Sequence, residues 1–165
     1  MTFTWTPHRF SGGALALDVA NTVILRGDAN RSLDRFADRQ QIEDFCDAAA
    51  MMCAERQDLP APLRPPSAGS EIMLIYLREA TDRYFRAWIA TGADDNMLLA
   101  DLLSACATAL RQTKADELPA ATAHSVLRLI HGADRDRMRI CGNCGWLFLD
   151  RSKNHSRIWC DMAVC

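Results

Sequence analysis

The stretch CGNCGWLFLDRSKNHSRIWCDMAVC, residues 141–165, holds four of the chain's seven cysteines in two close pairs. Cys141 and Cys144 stand as CxxC, and Cys160 and Cys165 are separated by four residues. A CxxC turn brings two thiolates onto one ion through a short backbone knuckle, and Gly142 and Asn143 are turn-forming residue types. The spacer of the second pair is at the wide end of common ligand spacing. The fifteen residues between Cys144 and Cys160 suffice for a hairpin that folds the pairs together, with Trp146 to Leu149 as its first strand. Zinc held by four sulfurs is the favoured reading, and such a closed site leaves no position for substrate, so the metal is structural. Three readings compete. Two disulfides need an oxidising compartment, a thioredoxin-type CxxC should open a helix where this one opens a strand, and an iron–sulfur cluster can use the same four thiols. His155 is a spare candidate ligand, read as an exposed hairpin residue.

Upstream, apolar residues recur at helical spacing. Leu15, Val19 and Val23 mark a helix from Ala14 to Leu25, and Ile42, Phe45, Cys46, Ala49 and Cys53 mark a second that Asp38 can cap. Ser70 opens a third, running to Gly92, and Asp94 or Asp95 opens a fourth whose stripe includes Leu98, Leu102 and Cys106. The stretch from Ala123 to Asp134 forms a shorter fifth. The opening FTWTPHRFSGGALAL alternates bulky and polar residues before Gly12 and Gly13, which suggests a strand or hairpin. The fold class expected is therefore mainly α: a helical N-terminal domain over residues 1–134, with a short β-hairpin, and a small α+β zinc finger over residues 135–165. Cys46, Cys53 and Cys106 fall inside the helical patterns and read as small buried hydrophobes.

Charge separates the same two regions. Residues 135–165 carry a net +3 against −5 for everything before them, inside a chain of net charge −2. Arg139, Arg151, Lys153 and Arg157 are the candidate phosphate contacts. Phe148 and Trp159 read as packing residues around the metal site, and Asp150 as a turn cap or a partner for a nearby arginine. Asp18 and Asn21 lie one helical turn apart with Arg26 close behind. They could converge on a small polar ligand, though the simpler reading is that they tie the first helix to the neighbouring loop through buried hydrogen bonds. Walker, nucleophile-elbow, HExxH and dinucleotide-binding patterns are missing, so no enzyme is expected. No apolar run is long enough for a membrane span and the opening residues lack signal-peptide order, so a cytoplasmic protein without a membrane partner is expected.

The pattern Cys141, Cys144, Phe148, Asp150, Ser152, Arg157, Trp159, Cys160, Cys165 resembles the CGNR zinc finger, and LDVANTVILR resembles the start of the ABATE domain that precedes that finger in stress-induced transcription regulators. The family motif continues from its last cysteine through glycine, asparagine and arginine, and the sequence stops at Cys165. The resemblance implies a regulator that binds DNA through the finger, with a helical domain for effector sensing or dimerisation. The alternative is a zinc-stabilised module for protein–protein contact.

Overall fold

A computed structural model describes residues 3–165. Its elements run α1 (Leu15–Ala20), β1 (Val23–Ile24), β2 (Leu33–Asp34), α2 (Arg39–Met52), α3 (Glu71–Thr91), α4 (Asn96–Gln112), α5 (Leu118–His131), β3 (Met138–Ile140) and β4 (Leu147–Leu149). The mainly α body and small C-terminal finger are thus as the sequence implies.

The opening segment differs from its alternating pattern. Pro7 starts a 3-10 turn, Pro7–Phe10, because its fixed φ suits a turn and its missing N–H cannot join a ladder. Trp5 and Phe10 both turn inward, with ring centroids 5.0 and 5.1 Å from that of Phe45. The hairpin of the body lies later, as β1 and β2 paired antiparallel with Val23 opposite Asp34. It interrupts the helix expected to reach Leu25. The β-branched run Thr22, Val23, Ile24 favours extended backbone, and the Thr22 hydroxyl turns back to donate to the Val19 carbonyl at 2.7 Å.

Helix ends follow local chemistry. Asp38 accepts from Gln40 N–H at the start of α2, and Asp95 accepts from Met97 and Leu98 N–H at the start of α4. Ser70 makes no side-chain cap at α3; the Glu71 carboxylate instead accepts from Gly69 N–H at 2.8 Å. Helix α5 begins at Leu118, ahead of the expected Ala123, since Pro119 falls in the first turn where a missing N–H is no loss.

Helices α3 and α5 pack against the fully buried α1 and α4 packs on α3 and α5, with Leu17, Ala20, Leu77, Phe85, Leu102 and Val126 in one cluster. A second cluster gathers Leu15, Ile42, Phe45, Leu74 and Leu118 beneath the N-terminal aromatics. Met138, Leu147 and Leu149 of the C-terminal hairpin belong to the first of these clusters, so body and finger share one core. The position expected for a domain boundary, residues 134 and 135, lies inside a 3-10 turn, Ala133–Arg137. Among the described residues no helix is long and apolar enough to cross a membrane.

Candidate metal centre

Strand β4 takes its partner from before the knuckle, not after it: β3 and β4 pair antiparallel with Ile140 opposite Leu147, and the Cys141–Gly145 turn joins them. The short connection favours this pairing over one through the fifteen-residue insert. Gly145 N–H donates to the Cys141 carbonyl at 2.9 Å and Cys141 N–H to the Trp146 carbonyl at 2.8 Å, closing the knuckle. The turn requires φ of +73° at position 145, which glycine adopts without a steric penalty.

The second pair rests on a different turn. Cys165 N–H donates to the Asp161 carbonyl at 2.8 Å, and the Asp161 carboxylate accepts from Ala163 N–H at 2.9 Å. Gly142 N–H reaches the Ile158 carbonyl at 3.0 Å and so joins the two halves. All four sulfurs, of Cys141, Cys144, Cys160 and Cys165, then lie within 4.8 Å of one another. The Cys144–Cys160 and Cys160–Cys165 separations are 3.5 and 3.6 Å. A disulfide would require about 2.05 Å, whereas a tetrahedron with metal–sulfur bonds of about 2.3 Å has edges of about 3.8 Å. The donor set therefore fits one thiophilic ion in both chemistry and spacing. His155 is exposed and outside the cluster. The other cysteines, at 46, 53 and 106, are buried in the helical core.

Neighbouring groups shift the thiols of the cluster in opposite directions. The hydrogen bond from Cys144, and after it Ser11, Cys165 and Cys141, outweigh burial and hold the Cys160 thiol at about 5. Cys144 is pushed up, first by that same bond to Cys160 and then by burial. Ser11 comes from the body, and its buried hydroxyl lies near the Cys160 sulfur without meeting hydrogen-bond geometry to any group among the described residues. Nothing in the sequence near Ser11 pointed to the cluster, because 149 residues separate it from Cys160 and only the fold brings them together.

The insert between the pairs is organised by one carboxylate. Asp150 accepts from Ser152 N–H at 3.0 Å, the Ser152 hydroxyl at 2.5 Å and Arg157 N–H at 2.9 Å. Burial opposes its charge, but these bonds prevail and lower its pKa. Phe148 is fully buried and packs with Trp146, Trp159 and the cysteines into a small core to which the body adds Ile24.

Polar contacts fasten the finger to the body, among them a hydrogen bond from the Leu149 N–H to the Gly12 carbonyl at 2.9 Å. Asn21 donates its side-chain amide to the Leu147 carbonyl and accepts from Leu147 N–H, both at 2.9 Å. Arg86 donates to the Gly145 carbonyl at 2.8 Å, and His8 pairs with Asp161 at 3.1 Å. Asn21 is thus held by buried hydrogen bonds, with the finger strand as its partner in place of the neighbouring loop expected. Asp18 accepts from Gly12 N–H at 3.0 Å, and burial holds its carboxyl well above the ordinary range. Arg26 turns instead to Glu79, Asp82 and the Ala20 carbonyl. The three side chains therefore address three separate sets of partners.

The finger's cations divide similarly. Arg151 pairs with Asp134 at 3.1 Å and caps the Gly13 carbonyl at 2.8 Å. Arg139 donates to the carbonyls of Asp136 and Met138, and Arg157 to those of Trp159 and Cys160. Those contacts order the side chains without neutralising them. Lys153 is exposed.

Residues 137–165 match the family of the CGNR zinc finger, which covers the finger and leaves the helical body outside the match. No curated protein and no solved structure matches the chain.

Proposed function

We propose that this chain is a zinc-containing transcriptional regulator whose C-terminal finger binds DNA. The observation that carries the reading is the four-sulfur cluster, with spacing suited to a tetrahedral ion, in a segment that matches a zinc finger. Cys141, Cys144, Cys160 and Cys165 hold the zinc, which when bound supplies folding free energy to the finger and, with its coordination sphere closed by protein, no catalysis. Arg139, Lys153 and Arg157 then make no side-chain ion pair among the described residues, although Asp150 lies within electrostatic reach of Arg157, and their charge suits the phosphates of a duplex. The helical body, in this reading an ABATE domain, provides effector sensing or dimerisation for a cytoplasmic, stress-induced regulator.

Fluorescence anisotropy with a labelled duplex tests this. Zinc-loaded protein binds, and each phosphate contact contributes about −0.9 to the slope of log affinity against log salt. K153A should make that slope shallower by about this amount, and metal-stripped protein should not bind. Absence of duplex binding by the zinc-loaded chain would overturn the reading.

One observation favours the second reading, a zinc-stabilised protein-interaction module. Ile158, Met162 and Val164 stand out from the finger with 59%, 66% and 61% of their surface exposed. Ile158 and Met162 line one groove with Lys153 and Arg157, which suits an acidic protein partner with an apolar anchor. Binding that survives raised salt would identify this case.

A further inference from the structure

Among the described residues Arg9 and Arg35, like Arg56, Arg83 and Arg111, make no ion pair, whereas the body's other arginines do; what sets Arg9 and Arg35 apart is that they meet on one ring. Both stack on the ring of Phe3, the Arg35 guanidinium carbon 3.8 Å and that of Arg9 5.5 Å from its centroid. Arg9 also lies 5.3 Å from the Trp146 ring, which places the pair at the seam between body and finger. The platform beneath them is fixed. Phe3 stands edge-on to Trp5 at 4.9 Å, and the Trp5 indole donates to the Gln41 carbonyl at 3.2 Å.

The nearest acid in sequence is already engaged. Asp34 accepts from Arg78 through both oxygens, at 2.7 and 2.8 Å, and from Phe36 N–H at 2.8 Å. The Arg35 Nε is buried and has no acceptor. Burial, and after it the charge of Arg9, lower the Arg35 pKa from its ordinary value. Two half-buried guanidiniums that share an aromatic platform repel one another, and a guanidinium fork is shaped for oxyanions. A missing anion is the simplest compensation for such a pair.

We propose that Arg9 and Arg35, seated on Phe3 beside Trp146, form a binding site for a phosphate group. A phosphate carries up to two negative charges, enough to answer both guanidiniums, and offers oxygens to the forks while the aromatic faces exclude water. The group comes either from a free phosphorylated molecule or from the backbone of a duplex held by the finger. The site does not rest on the DNA-binding reading, since the first source needs no nucleic acid.

Thermal unfolding of the full chain with inorganic phosphate, against chloride at matched ionic strength, tests the proposal. At about 5 mM phosphate, below the range where general exclusion of this ion from protein surfaces matters, the wild-type midpoint should rise by about 2–4 °C. R35M and R9M should lose that rise, and without phosphate each should be at least as stable as wild type because the repulsion is gone. Equal responses to phosphate and chloride in wild type, or a full phosphate response retained in R9M, would overturn the proposal even if R35M fails to fold. With the response established, the duplex titration assigns its source. A salt slope shallower by about 0.9 in R9M places a backbone phosphate in the site. An unchanged slope leaves a free phosphorylated molecule.

Discussion

Asn21 meets the backbone of Leu147 twice, as donor and acceptor, at a position where neither residue is open to water. Asn21→Ala removes both partners at once and leaves a buried N–H and a buried carbonyl without a mate. A loss of about 2–4 kcal/mol is expected in urea denaturation, since each such orphan costs about 1–3 kcal/mol. Ser11 acts more gently. Its buried hydroxyl lies beside the Cys160 sulfur and helps lower that thiol's pKa, with no other partner among the described residues, and polar groups next to a metal ligand change affinity by about 10-fold or more when removed. Ser11→Ala should weaken zinc binding by about that factor in competition with a chromogenic chelator, while far-ultraviolet circular dichroism of the zinc-loaded protein stays unchanged. Asp18 was legible as a special position, but its partner was not: a side chain in place of Gly12 would put its Cβ 2.7 Å from the Asp18 carboxylate oxygen, a steric fact that a linear pattern does not carry.

Among the elements, α1 is six residues long and too short to be stable alone. Its first amides are satisfied from outside. Leu15 N–H donates to the Glu55 carboxylate at 2.7 Å, and Ala16 N–H donates to the Ser125 hydroxyl at 2.9 Å, which in turn donates to Glu55 at 2.5 Å. Burial alone would raise the Glu55 pKa, but bonds from Arg128, Ser125 and Leu15 overcome it and the value falls. A carboxyl with a depressed folded pKa contributes stability that is complete above its unfolded value, about 4.3, and that fades as pH drops through the lower folded value. Glu55→Gln should therefore cost about 1–3 kcal/mol at neutral pH. The difference from wild type should shrink below about pH 4, as read from denaturant midpoints across a pH series. The apolar periods of α2, α3 and α4 announced those helices because each buries one continuous stripe. Helix α1 ended early, and β3 paired with β4, for reasons that lie in contacts between distant segments.

For the whole molecule, the question is whether the metal stabilises the finger alone or the entire chain. Met138, Leu147 and Leu149 sit in the same cluster as Leu77, Phe85 and Leu102. Removing the ion should therefore do more than loosen a tail. Stripping zinc with a chelator is expected to lower the midpoint of a single unfolding transition by about 10 °C, the effect of a few kcal/mol on a chain of this size. Two separate transitions in calorimetry, the first alone sensitive to metal, would contradict the shared core. The sequence by itself determined the helical class and the two cysteine pairs, and narrowed Asp150 to a turn cap or an arginine partner, because periodicity, thiol spacing and capping are written within a few residues. Only the tertiary structure decided that the finger is fused to the body, that Arg151 is neutralised by Asp134, and that Arg9 and Arg35 meet on one aromatic ring. Those outcomes depend on which surfaces come together across more than a dozen residues of chain, where no local spacing rule applies.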